Sequence, residues 1–344
     1  MAVTEYHAVV GPRHASDYRT LAWAAAMPVA AVLQYSRPSL VPFLAPLSCY
    51  LALSAGIIAH NHNHCPTFGS RRANRVFGIW LSFFYGYPTF AWIPTHNLNH
   101  HKFVNGPGDA TITWRHTNRH ILPVALTYFF VSSYWQSGPI KTYIRKARAQ
   151  RPALYRQVLL QYGAWVAAAI ATLATAIGLH GVRTGLFVWF VASAGPAVFA
   201  LWTIMLFNYE QHVHADPWSE HNHSRSWTGP LLNFLLFNNG YHAAHHETPG
   251  LHWSELPRAH AALAPKVDPA LIEGGMWPYF AKCYLLAPLG RGFGTAQVGR
   301  APFDPPEGFS RDAATAEVPL GEEGDNALPV SRARSAHGPD GASA

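Results

Sequence analysis

Nine histidines fall into four groups: His60 and His64; His96, His100 and His101; His212; and His242, His245 and His246, with Asn208 four residues before His212. Neutral imidazole is a favoured ligand for iron and other first-row metals. On a helix, residues four apart lie one above the other, so His60 and His64 can reach one ion from successive turns. The same periodicity puts His96 and His100 on one face and turns His101 aside, so the adjacent pair can serve two different ions. His242-Ala-Ala-His245-His246 repeats the scheme at a spacing of three, and its alanines leave room for close packing. One ion takes roughly four to six ligands, so nine imidazoles suit two ions, with a position or two left for water or oxygen.

Liganding rings need a partner on their other nitrogen, usually a carboxylate or carbonyl. Asp109, Glu210, Asp216, Glu220, Glu247 and Glu255 lie near the histidine groups and are candidates; the competing reading makes them solvated loop acids. His62 points away from its neighbours His60 and His64 and is expected to hydrogen-bond a liganding ring. His214, His221 and His223 belong to no box and are expected on the surface.

The elements that hold these groups have a membrane composition. Only 12% of the 344 residues are charged and 49% are hydrophobic, against about 25% charged in a soluble domain. Six windows lack Asp, Glu, Lys and Arg: 21–36, 40–59, 76–95, 121–140, 157–179 and 185–207. A spanning helix needs about 20 apolar residues. If the histidines meet on one side, windows 21–36 and 40–59 form one spanning hairpin, and 157–179 and 185–207 a second. Windows 76–95 and 121–140 must then start and finish on the same side, as re-entrant or interfacial segments. Gly86, Pro88 and Pro123 suit such broken helices. The alternative is six spans with histidines on both faces.

The expected fold is thus an all-α membrane protein: four transmembrane helices in two hairpins, two interfacial or re-entrant helices, and a cytoplasmic His-rich cap holding a di-metal site. The expected limits are a cytoplasmic tail over 1–20, the membrane domain over 21–290 and a disordered tail over 291–344, which is rich in Gly, Ala, Pro and acid. Charge sets the orientation. Stretch 141–156 holds six Lys/Arg and 65–75 three, whereas the two outer turns hold one each, Arg37 and Arg183. That positive-inside bias makes the metal side and both termini cytoplasmic. The polar N-terminal stretch argues against a cleavable signal peptide.

Net charge is +7. From Phe303 onward there are eight acids and three bases, leaving ten acids against 22 bases before it. The basic part suits an anionic membrane surface or an acidic electron-transfer partner. Its basic residues flank apolar segments, which argues against nucleic acid. Cys49, Cys65 and Cys283 form no C-x-x-C pair, so thiolate metal sites are not expected.

The boxes H-x-x-x-H, H-x-x-x-H-H and H-x-x-H-H, in this order with a long gap before the third, resemble the integral-membrane fatty acid desaturase superfamily. His242-Ala-Ala-His245-His246-Glu-Thr-Pro249, followed by Trp253-Ser-Glu-Leu256-Pro257 and His260, is similar to its desaturase branch. The resemblance covers about residues 20–265. It implies two irons near the cytoplasmic membrane face, with His60, His64, His96, His100, His101, His212, His242, His245 and His246 as ligands and Asn208 holding a water. It also implies O2 as co-substrate and removal of two hydrogens from adjacent carbons of a lipid or acyl thioester. Trp92, Phe199, Trp202 and Leu206 are candidate walls of an apolar pocket for that chain. No His-Pro-Gly-Gly haem motif and no Gly-rich dinucleotide fingerprint occur, so the electrons are expected from an external ferredoxin or cytochrome b5-like donor with its reductase. Arg145, Lys146 and Arg148 lie on its expected docking face.

Two other readings stay open. A hydroxylase or ketolase of the same superfamily, acting on an alkane, sterol or carotenoid, would rebind oxygen to carbon. Asn208-Tyr209 matches membrane alkane hydroxylases, but Thr95 stands where their second box has Glu. A non-catalytic metal transporter or sensor would place its ligands at mid-membrane rather than at helix ends.

Overall fold

The computed structural model describes residues 11–290, 293–309 and 320–321. Its main helices are α1 (Asp17–Ser36), α2 (Val41–His64), α3 (Arg71–Tyr85), α4 (Leu122–Gln150), α5 (Pro152–Trp189), α6 (Gly195–His212), α7 (Pro230–Leu235) and α8 (His242–Glu247). The chain forms two compact units, one of residues Met1–Trp92 and Arg151–Ile204, the other of Ile93–Gln150 and Met205–Ala344.

In the first unit, α1 and α2 are joined by a 3-10 turn at Pro38–Leu40, whose proline cannot continue α1. Buried Gln34 links the two helices, donating to Ser48 Oγ at 2.7 Å. Every residue from Leu51 to His60 of α2 is buried, so this arm is hidden all round. Gly56 is required there: a Cβ would lie 2.3 Å from Ile204 Cδ1 and 2.8 Å from the Tyr85 ring. The α3 helix starts at Ser70, whose side chain accepts from Ala73 N–H, and stops at Gly86 with φ of 85°. Pro88 follows, and a new short helix begins at Thr89.

Helix α5 breaks at Gly181 (φ 74°, ψ 170°). A Cβ on Gly185 would lie 2.6 Å from the Ile177 backbone, a separation that a continuous helix excludes at 1.5 Å rise per residue. The chain therefore folds back, and Trp189 Nε1–H reaches Thr172 Oγ1 at 3.3 Å. His180 Nε2–H donates to the Tyr35 carbonyl at 2.6 Å and Tyr35 OH meets Ser193 Oγ at 2.9 Å, which ties this turn to the end of α1.

The second unit contains box two on a π-helical run, Ile93–His100. The loop after it is a compact knot. Val104 and Asn105 take positive φ, and Asn105 donates from Nδ2 to the His212 carbonyl at 3.1 Å while its Oδ1 accepts from Thr113 N–H at 2.7 Å. Helix α4 buries Ala125, Tyr128 and Ser132 and exposes Leu122, Leu126, Phe130 and Tyr134 at intervals of four. Apolar residues of that size cost about 1.5–3 kcal/mol each when left in water, so the stripe is an apolar surface that the described residues leave uncovered. The polar remainder is anchored by a two-residue parallel pairing of Ser226–Trp227 with Ile272–Glu273.

Among the described residues, helices long and apolar enough to cross a bilayer are Pro38–His64 and the 61-residue run Pro152–His212, which contains the fold-back; a third arises if the bent pair Arg71–Tyr85 and Thr89–Phe103 counts as one span. The sequence expectation of four spans includes α1, which does not meet that standard. Within the segment expected to be a disordered tail, several residues are bonded: Val298 N–H to His214 O at 2.9 Å, Arg300 N–H to Asp216 Oδ2 at 2.9 Å and Tyr143 OH to Gly321 O at 2.6 Å. Composition is blind to such pairing, because loop carboxylates and carbonyls satisfy it. Residues 291–292, 310–319 and 322–344 of that segment, and 1–10 of the N-terminal one, lie outside the described residues.

Candidate metal centre

In the second unit, four imidazoles converge. His100, His212, His242 and His246 are all buried, and one nitrogen from each lies within 4.8 Å of all the others. His212 Nε2 is 3.0 Å from His100 Nε2 and 2.9 Å from His242 Nε2, and His246 Nε2 is 3.1 Å from His242 Nε2. The other nitrogens of two rings are fixed. His100 Nδ1–H donates to Asp109 Oδ2 at 2.7 Å, and His212 Nδ1–H donates to the His223 carbonyl at 3.1 Å. With Nδ1 protonated, each Nε2 turns a lone pair towards the common point. Neutral rings so arranged repel one another unless a cation lies between them. Metal–imidazole bonds of roughly 2.0–2.2 Å put neighbouring nitrogens about 3 Å apart, so the set fits a metal ion.

A second set lies beside it in the same unit. His101 Nε2 is 3.1 Å from His96 Nε2 and 3.0 Å from His245 Nε2, and all three rings are buried. Adjacent histidines are therefore split, His100 from His101 and His246 from His245. That split matches the sequence expectation, but the partners within each box do not. Box two pairs His96 with His101 rather than His100, because a π-helical run brings residues five apart onto one side. Box three pairs His242 with His246, rings 4.5 Å apart, as α-helical spacing of four dictates, and turns His245 to the other set.

Box one lies in the first unit, on the last turn of α2. His60 and His64 are buried, with ring centroids 4.8 Å apart, and the Trp92 ring stands 5.3 Å from His60. His62 is engaged elsewhere: its Nδ1 is 3.0 Å from Thr67 Oγ1 and its ring packs on Phe77 at 5.3 Å.

The candidate acids divide. Asp109 is 2% exposed and also accepts from Asn105 N–H, Thr111 N–H and Thr111 Oγ1. Burial pushes its carboxyl up, but the facing His100 ring and these donors override that and hold it below the usual carboxylate range. Glu247 bonds, at 3.1 Å, the Nε2 of His223, the same residue whose carbonyl holds His212. Glu210 takes Tyr284 OH, Tyr279 OH at 3.1 Å and His120 Nε2 at 2.9 Å. Asp216 closes a turn through the backbone N–H groups of Trp218, Ser219 and Arg300. Glu220 is 3.8 Å from His221, and Glu255 pairs with Arg258. Contrary to the sequence expectation, His223 is fully buried rather than superficial.

Asn208 is held by Nδ2–H donation to Tyr128 OH at 2.8 Å, and Tyr128 OH donates in turn to the Thr111 carbonyl. Tyr128 and Thr111 carry no sequence signal beyond burial-prone type, and neither was a candidate. Burial, reinforced by the His101, His242, His100 and His212 rings, lowers the pKa of His246 well below its ordinary value. The ring is therefore neutral at physiological pH, the state a metal requires. Of the candidate pocket walls, Trp92 is buried and stacks on Tyr85 at 6.0 Å, whereas Phe199 is an exposed outer residue.

Comparison with known proteins adds one positive finding. The family model described as fatty acid desaturase matches residues 38–274, a stretch that holds every histidine above. Neither the curated proteins nor the solved structures contain a match to this chain.

Proposed function

Because the chain belongs to the fatty acid desaturase family and is accordingly an oxidoreductase, we propose that it is a membrane-bound di-iron acyl desaturase. It takes an acyl chain, carried by a lipid or a thioester, and removes hydrogen from two adjacent carbons with O2 as oxidant. The observation that carries this reading is the split of neighbouring histidines between two imidazole sets in one unit. A single-ion site would use one member of each adjacent pair.

An unactivated alkyl C–H bond is beyond side-chain acid–base chemistry, and a pair of irons supplies the oxidising power when bound. The chain's own residues do the rest. His100, His212, His242 and His246 hold one ion, and His96, His101 and His245 belong to the other. His60 and His64 join them on the family's pattern. Asp109 and the His223 carbonyl keep two of these rings in the right tautomer. Tyr128 fixes the Asn208 amide, whose oxygen holds a water on that same pattern. Burial of all nine rings keeps bulk water out.

The topology that fits is four spans in two hairpins with the metal side cytoplasmic, supported by the fold-back at Gly181, the turn at Pro38–Leu40 and the positive-inside bias. Electrons come from an external ferredoxin or cytochrome b5-like protein with its reductase. Expression with a matched reductase, followed by mass spectrometry of lipids and thioesters, tests the reaction. Loss of the mass of H2 is expected. Gain of one oxygen atom would make the protein a hydroxylase, and metal movement without oxygen consumption would make it a transporter.

A further inference from the structure

A guanidinium buried without a carboxylate is a costly arrangement, and the second unit contains one. Arg225 is 1% exposed. Its Nη1 donates to the carbonyls of Glu210 at 2.6 Å and Val213 at 3.1 Å, capping the end of α6, and its charge lies 5.0 Å from the centre of the Tyr279 ring. Its Nε is buried and has no hydrogen-bond partner. Among the described residues no acid pairs with it, because the nearby Glu210 carboxylate is taken by Tyr279, Tyr284 and His120. An uncompensated buried charge of this kind is normally paired, and loss of a partner costs about 3–5 kcal/mol.

The open side of Arg225 is a cavity of about 240 Å³, partly open to solvent, whose wall also includes Lys282, Glu273, Thr295, Ala270 and Gly294. Lys282 and Glu273 form an ion pair, so the wall carries two cations and one carboxylate, an excess of one positive charge. Pockets for organic ligands run from about 300 to 1,000 Å³, so this one is too small for an acyl chain or a nucleotide. Its small residues leave the space next to the cations free.

We propose that this cavity binds a compact oxyanion, a phosphate or phosphomonoester group, with Arg225 as its principal donor and Lys282 as the second. The planar guanidinium matches phosphate oxygens, and Lys282 keeps donors beyond the one used by Glu273. None of the nine box histidines lines this cavity, and the proposal does not depend on iron or on the reaction proposed above.

The test uses the full chain in phosphatidylcholine nanodiscs, titrated with inorganic phosphate in a calorimeter and, separately, in discs containing phosphatidic acid. Saturable binding of inorganic phosphate identifies a soluble ligand; saturation by phosphatidic acid alone identifies a lipid headgroup. Either must be weakened about tenfold by Lys282→Ala, the loss of one charge-assisted hydrogen bond. Arg225→Gln should remove it, but that variant also strips the cap from α6. Ala270→Trp therefore provides the independent check, since it fills the cavity and leaves both cations in place. Binding abolished by Ala270→Trp in a protein of unchanged melting temperature supports the site. No saturable binding of either probe, or binding indifferent to Ala270→Trp, overturns it.

Discussion

The Asp109 carboxylate accepts the His100 Nδ1 proton at 2.7 Å, with both side chains buried. This contact fixes the tautomer of a ring whose Nε2 faces three other imidazoles. Asp109→Asn should leave the fold in place and lower iron affinity by about 10–100-fold, the usual cost of removing such a partner. Equilibrium dialysis against an iron chelator measures it. Unchanged affinity would assign Asp109 to loop structure alone.

The metal-free protein should lose stability in mild acid. The folded-state pKa of His246 lies well below the 6.5 of an ordinary histidine. Between those two values the unfolded chain binds a proton that the folded chain does not, so stability rises with pH through that window and falls as pH drops below 6.5. Asp109, whose folded pKa is depressed, adds stability that is lost only at lower pH, through the carboxylate range. Thermal unfolding of the apo-protein from neutral pH downward should show the first loss in the histidine range. Bound metal should suppress it, because ligation competes with protonation.

Tyr128→Phe should separate positioning from ligation. It removes the hydroxyl that receives Asn208 Nδ2–H and donates to Thr111 O, leaving buried polar groups unpaired at about 1–3 kcal/mol. Turnover should fall while iron content stays at the wild-type level. Equal loss of both would place Tyr128 in the general scaffold instead.

Charge reversal at Arg145, Lys146 and Arg148 together should raise KM for a protein electron donor and flatten its dependence on salt. Rates with a small chemical reductant should not change. Steady-state kinetics across ionic strength reads both.

Histidine chemistry is carried by residue type, so a gathering of boxes two and three with His212 was legible from their spacing, their place at the ends of uncharged windows and the family resemblance together. The way adjacent histidines divide was legible too, but their partners were not. A 3.6-residue period pairs His96 with His100, and only the π-helical winding of Ile93–His100 brings His101 into that place. Acids near the boxes could not be sorted by sequence, since loop conformation decides whether a carboxylate meets a ring, as Asp109 does, or closes a turn, as Asp216 does. Arg225 and Tyr128 were invisible for a plainer reason: each acts through one three-dimensional contact and belongs to no pattern. The turn-back at Gly181 lay where two uncharged windows met, so hydropathy placed it to within a few residues.

Iron stoichiometry of the purified full chain, read by plasma mass spectrometry beside X-ray absorption at the iron edge, tests the central claim most directly. Wild-type protein should hold two irons with imidazole-type nitrogen neighbours, and His242→Ala should retain about half of that metal while losing activity. One iron or none in active wild-type protein, or a full complement in His242→Ala, would contradict the account.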